Sequence, residues 1–247
     1  PYGQLYQRGR KDPFPSAPSL TGNEKTQPVP VYGPDGAEVK ITYSLWSSVE
    51  NNTIEYSIAN PTKCLSNYAL YNRSRDWVKA SDSNDALCGN PKGDERNSDN
   101  NYVNKGSKSF YDPCPVGYRV PPADVFRTFT TTGGYTQDPS SFDVVDLNGD
   151  GVIDTRDYNY GWSFNMKEGS LFFPAAARYD GSYAMLMGSK SGLWGSYWGN
   201  SPAKSYGATT GFGFCVLAFM NEAAGTSVSA TASAGRADAY SIRCIKE

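Results

Sequence analysis

Apolar positions gather in short clusters in the last third of the chain. SLFFPAAARY (170–179), GLWGSYWGN (192–200), FGFCVLAFM (212–220) and AYSIRCIKE (239–247) are each bounded by Gly, Ser or Asn. Runs of that length rich in aromatic and β-branched residues predict successive strands. Two further strand-like runs lie upstream: EVKITYSL (38–45), which alternates, and NNTIEYSIANP (51–61), ended by Pro61. Residues 1–40 are rich in Pro, Gly and Gln and carry no helical or strand period, which predicts an extended arm over the domain. Pro34, Asp35 and Gly36 make a turn within it. Residues 62–110 are polar loop with Trp77 and Val78 as its buried pair. SFYDPCPVGYRVPPADVFRTF (109–129) reads as a turn, a short strand and a helix. Pro121 and Pro122 start that helix, and Val125, Phe126 and Phe129 share its inner face. SSFDVV (140–145) is too β-branched for a helix.

The sum is an α+β fold of mostly short antiparallel strands with one or two helices and long loops. A single domain over 41–247 with the arm 1–40 packed on it accounts for the pattern, and no internal repeat interrupts it.

Charge and composition narrow the function. The 247 residues carry a net charge of −2, so no basic face for nucleic acid is implied. No apolar run approaches the length of a membrane span. Histidine is absent, which excludes a Ser-His-Asp or Cys-His mechanism on this chain alone. The 18 Tyr, with abundant Gly, Ser and Asn, suit a recognition surface, and suit a loop-rich extracellular β protein equally. The chain begins at Pro1, which predicts either a removed targeting segment or a piece of a longer protein. Five cysteines include no CxxC pair. Two disulfides with one thiol left over are expected: Cys64 and Cys88 lie together in polar loop, and Cys114 and Cys244 lie beside the strand-like GYRV and YSIRCIKE. Cys215, in an apolar run, reads as a buried strand thiol.

The sharpest motif is DLNGDGVIDTRD, Asp146 to Asp157. Calcium takes six to eight oxygens, and this spacing places them at loop positions 1, 3, 5, 7, 9 and 12. The predicted ligands are Asp146, Asn148, Asp150, the Val152 carbonyl, Asp154 and Asp157. Gly151 permits the sharp turn, and Ile153 can anchor the loop in the core. Position 12 is Asp rather than Glu, which resembles dockerin-type loops. One loop, preceded by β-branched residues and followed closely by Gly161, argues for a structural staple instead of a dockerin.

Several phrases in order carry a wider resemblance: LYQRGRKDPFP (5–15), SIANPT (57–62), YDPCPVGYRVPPADVF (111–126), LFFPAAARYDGS (171–182), LWGSYWGN (193–200) and SIRCIKE (241–247). The chain resembles, over nearly its whole length, the FISUMP-type major paralogous domain of fimbrillin-associated Bacteroidetes surface proteins. That resemblance implies a C-type lectin-like fold, related to formylglycine-generating enzymes. It also implies an exported, cell-surface adhesin within a longer lipoprotein or pilus-tip protein. The partners implied are an unknown glycan or protein ligand and other pilus subunits. Cys64 and Cys88 depart from the family together, which favours a local disulfide between them. The calcium loop reads as an insertion near 143–160, so calcium rests on its own residues.

Lectins that hold sugar through calcium use EPN or QPD with WND; this chain has WGN and neither triplet, so that mechanism is unsupported. In such folds the ligand surface lies on loops near the C-terminal strands. Those carry Tyr179, Asp180, Tyr183, Tyr197, Trp198, Asn200, Tyr206 and Asn221, the expected ligand residues. Trp194 and Trp198 fit a strand core equally well. The Ser/Gly/Ala-rich tail is compatible with retroelement-diversified loops. No enzymatic activity is expected, because no base is evident to activate Cys215. The competing readings are a structural pilus or stalk subunit and a degenerate formylglycine-generating-enzyme-like domain.

Overall fold

The structure, a computed structural model, describes residues 3–44, 53–66, 76–78, 87, 107–203, 213–223 and 225–247. Its strands are β1 (Gln4–Gln7), β2 (Phe14–Pro15), β3 (Val31–Tyr32), β4 (Glu38–Val39), β5 (Thr42–Ser44), β6 (Lys63–Leu65), β7 (Tyr118–Arg119) and β8 (Tyr135–Thr136). They continue with β9 (Gly161–Asn165), β10 (Ser170–Pro174), β11 (Tyr179–Asp180), β12 (Met185–Leu186), β13 (Trp194–Ala203), β14 (Gly213–Glu222), β15 (Gly225–Gly235), β16 (Ala239–Tyr240) and β17 (Ile245–Lys246). Pairing is antiparallel except for β5 with β6 and the single bridge Tyr197–Ser241. The described residues hold one α-helix, α1 (Ile54–Ala59), and a few 3-10 turns. A fold dominated by short antiparallel strands is therefore what the sequence pattern promised.

Two sheets organise the molecule. One runs β12-β11-β16-β1-β2; the other runs β13-β14-β15-β8. The N-terminal segment is thus more than an arm. Tyr6 pairs with Tyr240 and Gln7 with Ala239, which places β1 inside the first sheet, although QLYQ is too short to show a period. The turn at Pro34–Gly36 forms as expected: Gly36 has φ 77° and closes the β3–β4 hairpin.

Three other local expectations change. NNTIEYSIANP holds helix α1, because Thr53 accepts from the Tyr56 N–H as an N-cap and Asn60 closes the far end. EVKITYSL divides into β4 and β5 on either side of Lys40 and Ile41. The helix after Pro122 is a 3-10 helix, Ala123–Phe129. Its threefold period aligns Ala123, Phe126 and Phe129 inward and turns Val125 out to solvent. Trp77 and Val78 are buried as read.

The main core lies between the β13-β14-β15-β8 sheet, the β9–β10 hairpin and the 3-10 segment. Phe129 stacks on Phe164 at 4.3 Å and meets Phe173 edge-on at 5.3 Å. Such pairs add about 0.5–1.5 kcal/mol each beyond the area they bury. Gly195 faces the Phe219 ring, which occupies the space a Cβ would need.

A polar node ties the N-terminal segment down. The buried Gln7 amide donates to the Leu65 and Ala237 carbonyls and accepts from the Leu65 N–H. Arg10 donates to Lys63 O at 2.7 Å and reaches the Ser57, Asn60 and Pro61 carbonyls in and just beyond the last turn of α1. A guanidinium offers five donors in a fork, which suits a cluster of carbonyls.

Cys114 and Cys244 form a disulfide, and β7 pairs with β17 beside it. Cys64 is a free, buried thiol, so the expected Cys64–Cys88 staple does not form. Cys64 sits between Lys63 and Leu65 on β6, packed with Leu5, Phe14 and Tyr179, where it acts as a small core residue. Cys88 and the Cys215 side chain lie outside the described residues.

Candidate ligand cleft and calcium loop

The Asp146–Asp157 loop is curled around its first residue. Asp146 accepts from the Gly149 and Gly151 N–H groups, each at 2.7 Å, and those glycines have φ 73° and 81°. Asn148 and Asp150 accept from the N–H two residues on. Asp157 is buried and accepts from Leu147, Asn148 and Asp154 N–H groups. It forms a capping box with Asp154 around the 3-10 turn Thr155–Asp157. Ile153 and Tyr158 pack on the main core, and the Tyr158 hydroxyl donates to Gly192 O, so Ile153 anchors the loop as read.

The Arg156 guanidinium lies 2.7 Å from Asp150 and 2.6 Å from Asp154. Hydrogen bonding from Arg156 holds the Asp154 carboxyl below the usual range, and the Gly151 N–H does the same for Asp146. Among the described residues, no group of three or more acidic, Cys or His side chains converges closely enough to hold a metal. Instead a cation from the chain itself sits on two of the carboxylates.

The eight expected ligand residues do not share one surface. Tyr197 and Trp198 are each 2 % exposed. Tyr197 packs on Phe173 and donates to Pro174 O; Trp198 packs on Tyr240 at 4.7 Å and donates to Tyr6 O at 2.7 Å. Tyr179 is buried against Phe14 and donates to Pro15 O. Asn200 is buried where its N–H donates to Pro121 O, beside Ser201, whose hydroxyl accepts from the Ala123 N–H. These four are core and docking residues; the three on β13 are so because the strand sends successive side chains to opposite faces and both faces are covered there. Asp180 pairs with Arg178, and Asn221 accepts from Thr226 within the β14–β15 hairpin. Tyr183 is open to solvent, and Tyr206 lies outside the described residues.

The opening that the structure does build is elsewhere. A cleft of about 310 Å³ lies on the second sheet, on the face turned away from the main core. Strand register sets its floor in two rows. Ser196, Ala218, Ser229 and Tyr135 run across β13, β14, β15 and β8; Trp194, Met220 and Ser227 run beside them. A register shift between Val216 and Ala218 brings Ala232 onto the same face. Tyr135 forms an open wall, and Trp194 stands across the cleft with Lys190 and Arg178 near its ring at 4.5 and 5.6 Å.

At the inner end Arg178 donates to the buried Tyr240 hydroxyl at 3.1 Å, and Tyr240 donates to Asp238 at 2.8 Å. Asp238 also accepts from the Gly181 N–H. Burial pushes the Asp238 carboxyl up while Arg178 pulls it down, and the net shift is upward. Burial also raises Tyr240. A mostly apolar cleft with a few fixed polar groups and perturbed titrating groups at one end has the form of a small-ligand site.

Of its residues, sequence reasoning had weighed only Trp194 as a core or loop position. The signal was present as alternation: Trp194 and Ser196 against Tyr197, and Ser227 and Ser229 against Val228 and Ala230. The Ser/Gly/Ala-rich tail, compatible with diversified loops in sequence, concealed it; GTSVSATASAG is strand β15. Comparison with family models, curated proteins and solved structures finds no match.

Proposed function

We propose that this chain is the ligand-binding domain of a cell-surface adhesin, C-type lectin-like in fold and carried by a longer lipoprotein or pilus-tip protein. The observation that carries a binding role is the cleft over β13, β14, β15 and β8, with its aromatic walls and its Arg178–Tyr240–Asp238 end. The adhesin reading draws on the resemblance. It is supported by the position of that resemblance's two most specific phrases, CPVGYRVP and SIRCIKE, which lie side by side through β7–β17 and are joined by Cys114–Cys244. The role is binding and not catalysis: with no histidine in the chain, the polar groups at the cleft's end are hydrogen-bonded to one another and activate no nucleophile.

Calcium belongs to this reading as a staple. Asp146, Asn148, Asp150, Asp154, Asp157 and the Val152 carbonyl supply hard oxygen donors, and the two left-handed glycines let the loop close. The Asp157 carboxylate accepts three N–H bonds, which leaves it a lone pair for a cation. Arg156 would give way to the ion.

The test is an NMR fragment screen on the labelled domain, followed by glycan and host-protein arrays, with Ser229→Trp as the filled-cleft control. Binding that shifts cleft resonances and is lost in Ser229→Trp is expected. A domain in which no fragment perturbs the cleft refutes the binding reading and leaves a structural pilus subunit.

A further inference from the structure

Resting on the cleft assigned above, we infer that its ligand is an uncharged sugar ring. Ser227 lines the cleft floor and is 5 % exposed. Ser196 and Ser229 lie on the same floor, so three serines belong to the cleft lining. The Trp194 indole N–H, in the wall, is a buried donor with no acceptor among the described residues. Buried polar groups in folded proteins are normally paired, so the open Trp194 donor beside a serine-lined floor suits a ligand that brings hydroxyls of its own.

The surroundings exclude other classes. Arg178 is the one charged side chain lining the cleft among the described residues, and Asp180 and Asp238 lie 3.5 and 3.9 Å from it. Lys190, beside Trp194, is held by Glu222 at 2.5 Å. The cations are already neutralised, so an anionic ligand gains little. An alkyl ligand would cover the serine-lined floor and leave the Trp194 donor open. A peptide strand adds to a sheet edge, but the floor strands β14 and β15 have neighbours on both sides along the cleft and present only side chains. A sugar ring satisfies each constraint: its C–H face lies on an aromatic ring and its edge hydroxyls exchange bonds with serines and Arg178. From β13 to β8 is three strand spacings, about 14 Å between backbones. A volume of about 310 Å³ is at the small end for ligand sites and fits a terminal sugar rather than a long chain. This mode needs no calcium, in keeping with the absent EPN, QPD and WND signals.

The experiment is NMR titration of the labelled domain in calcium-free and calcium-containing buffer. The probes are methyl glucoside, methyl galactoside, methyl mannoside and N-acetylglucosamine; glucuronate and octanoate are comparators. At least one neutral probe should shift Ser196, Ser227 and Ser229 resonances with the same affinity in both buffers. Tyr135→Ala, at a position 59 % exposed and outside the core, should weaken that probe about tenfold and leave the remaining spectrum intact. Ser227→Ala should weaken it about fivefold. If glucuronate or octanoate moves the cleft resonances and no neutral sugar does, the sugar assignment is wrong while the cleft remains a ligand site. If neutral sugars bind but Tyr135→Ala binds as tightly, the assignment to this cleft is wrong. If no probe and no fragment moves these resonances, both readings fall.

Discussion

Removing the Cys114–Cys244 bond should cost the fold as much as any single side chain described above. The two cysteines are 130 residues apart, so the bond closes more than half of the chain into one loop. The chain-entropy relation gives a denatured-state loss of roughly 17 cal/mol/K for a loop of that length, or about 5 kcal/mol at 25 °C. Measured effects fall at or below that bound, so a loss of about 3–5 kcal/mol is expected. Against a total stability of about 5–15 kcal/mol for a domain, this is about a fifth or more. The loss has a structural side as well, because Cys114 packs with Val120, Trp198, Ala234 and Tyr240. Urea unfolding of the Cys114→Ala/Cys244→Ala variant against the parent reads it directly. The midpoint should fall, and the slope should steepen, since an unlinked denatured chain exposes more surface. Reductant added to the parent should reproduce the shift. A variant with the parent's midpoint and slope would show that the loop closure does not constrain the unfolded chain, and the reasoning would fail.

Trp198→Ala should lower stability by about 3–5 kcal/mol in the same assay, as expected for a buried aromatic, whereas Tyr183→Ala at its exposed site should stay within about 0.5 kcal/mol; equal small effects would contradict the core placement. Burial pushes the Cys64 thiol up to about 12, although Arg10 opposes the shift. Its folded pKa is therefore raised, so its contribution is complete below the ordinary thiol range near about 8.5 and is lost as pH rises toward 12. Thermal melts across that window should fall less steeply for Cys64→Ala than for the parent, and parallel curves would refute the assignment. Calcium should raise the melting temperature of the parent and not of Asp146→Ala. Arg156→Gln should bind calcium several-fold more tightly in calorimetry, because it removes a cation seated on Asp150 and Asp154; weaker binding would mean that Arg156 orders the loop instead of competing.

Much of the local structure was legible because its causes are local. Turn chemistry placed the bend at Pro34–Gly36, and apolar clusters placed β10, β13 and β14. The anchoring role of Ile153 in the Asp146–Asp157 loop was legible too, since it is an apolar position set in a polar loop. Misreadings came where a short-range competitor outweighed composition. The Thr53 cap made a helix of a β-rich phrase, and a 3-10 period turned Val125 outward. The Cys64–Cys88 pairing failed for a different reason. Shared polar surroundings do not determine distance, and Cys64 is packed among Leu5, Phe14 and Tyr179 from three remote segments.

The ligand surface shows where the boundary lies. By itself the sequence determined the strand-rich composition of the fold, the absence of histidine chemistry, the glycine turns of the Asp146–Asp157 loop and the aromatic character of the C-terminal strands. Which aromatics line the cleft was decided only by tertiary structure. Trp194 and Trp198 are four residues apart on the same face of β13, yet β1 and Tyr240 cover the second and leave the first at the cleft. Cross-strand register then assembled Ser196, Ser227, Ser229 and Tyr135 from three strands more than thirty residues apart in part of their span. Period along one strand reports which side chains share a face; it carries no information about what covers that face, because the cover comes from the other end of the chain.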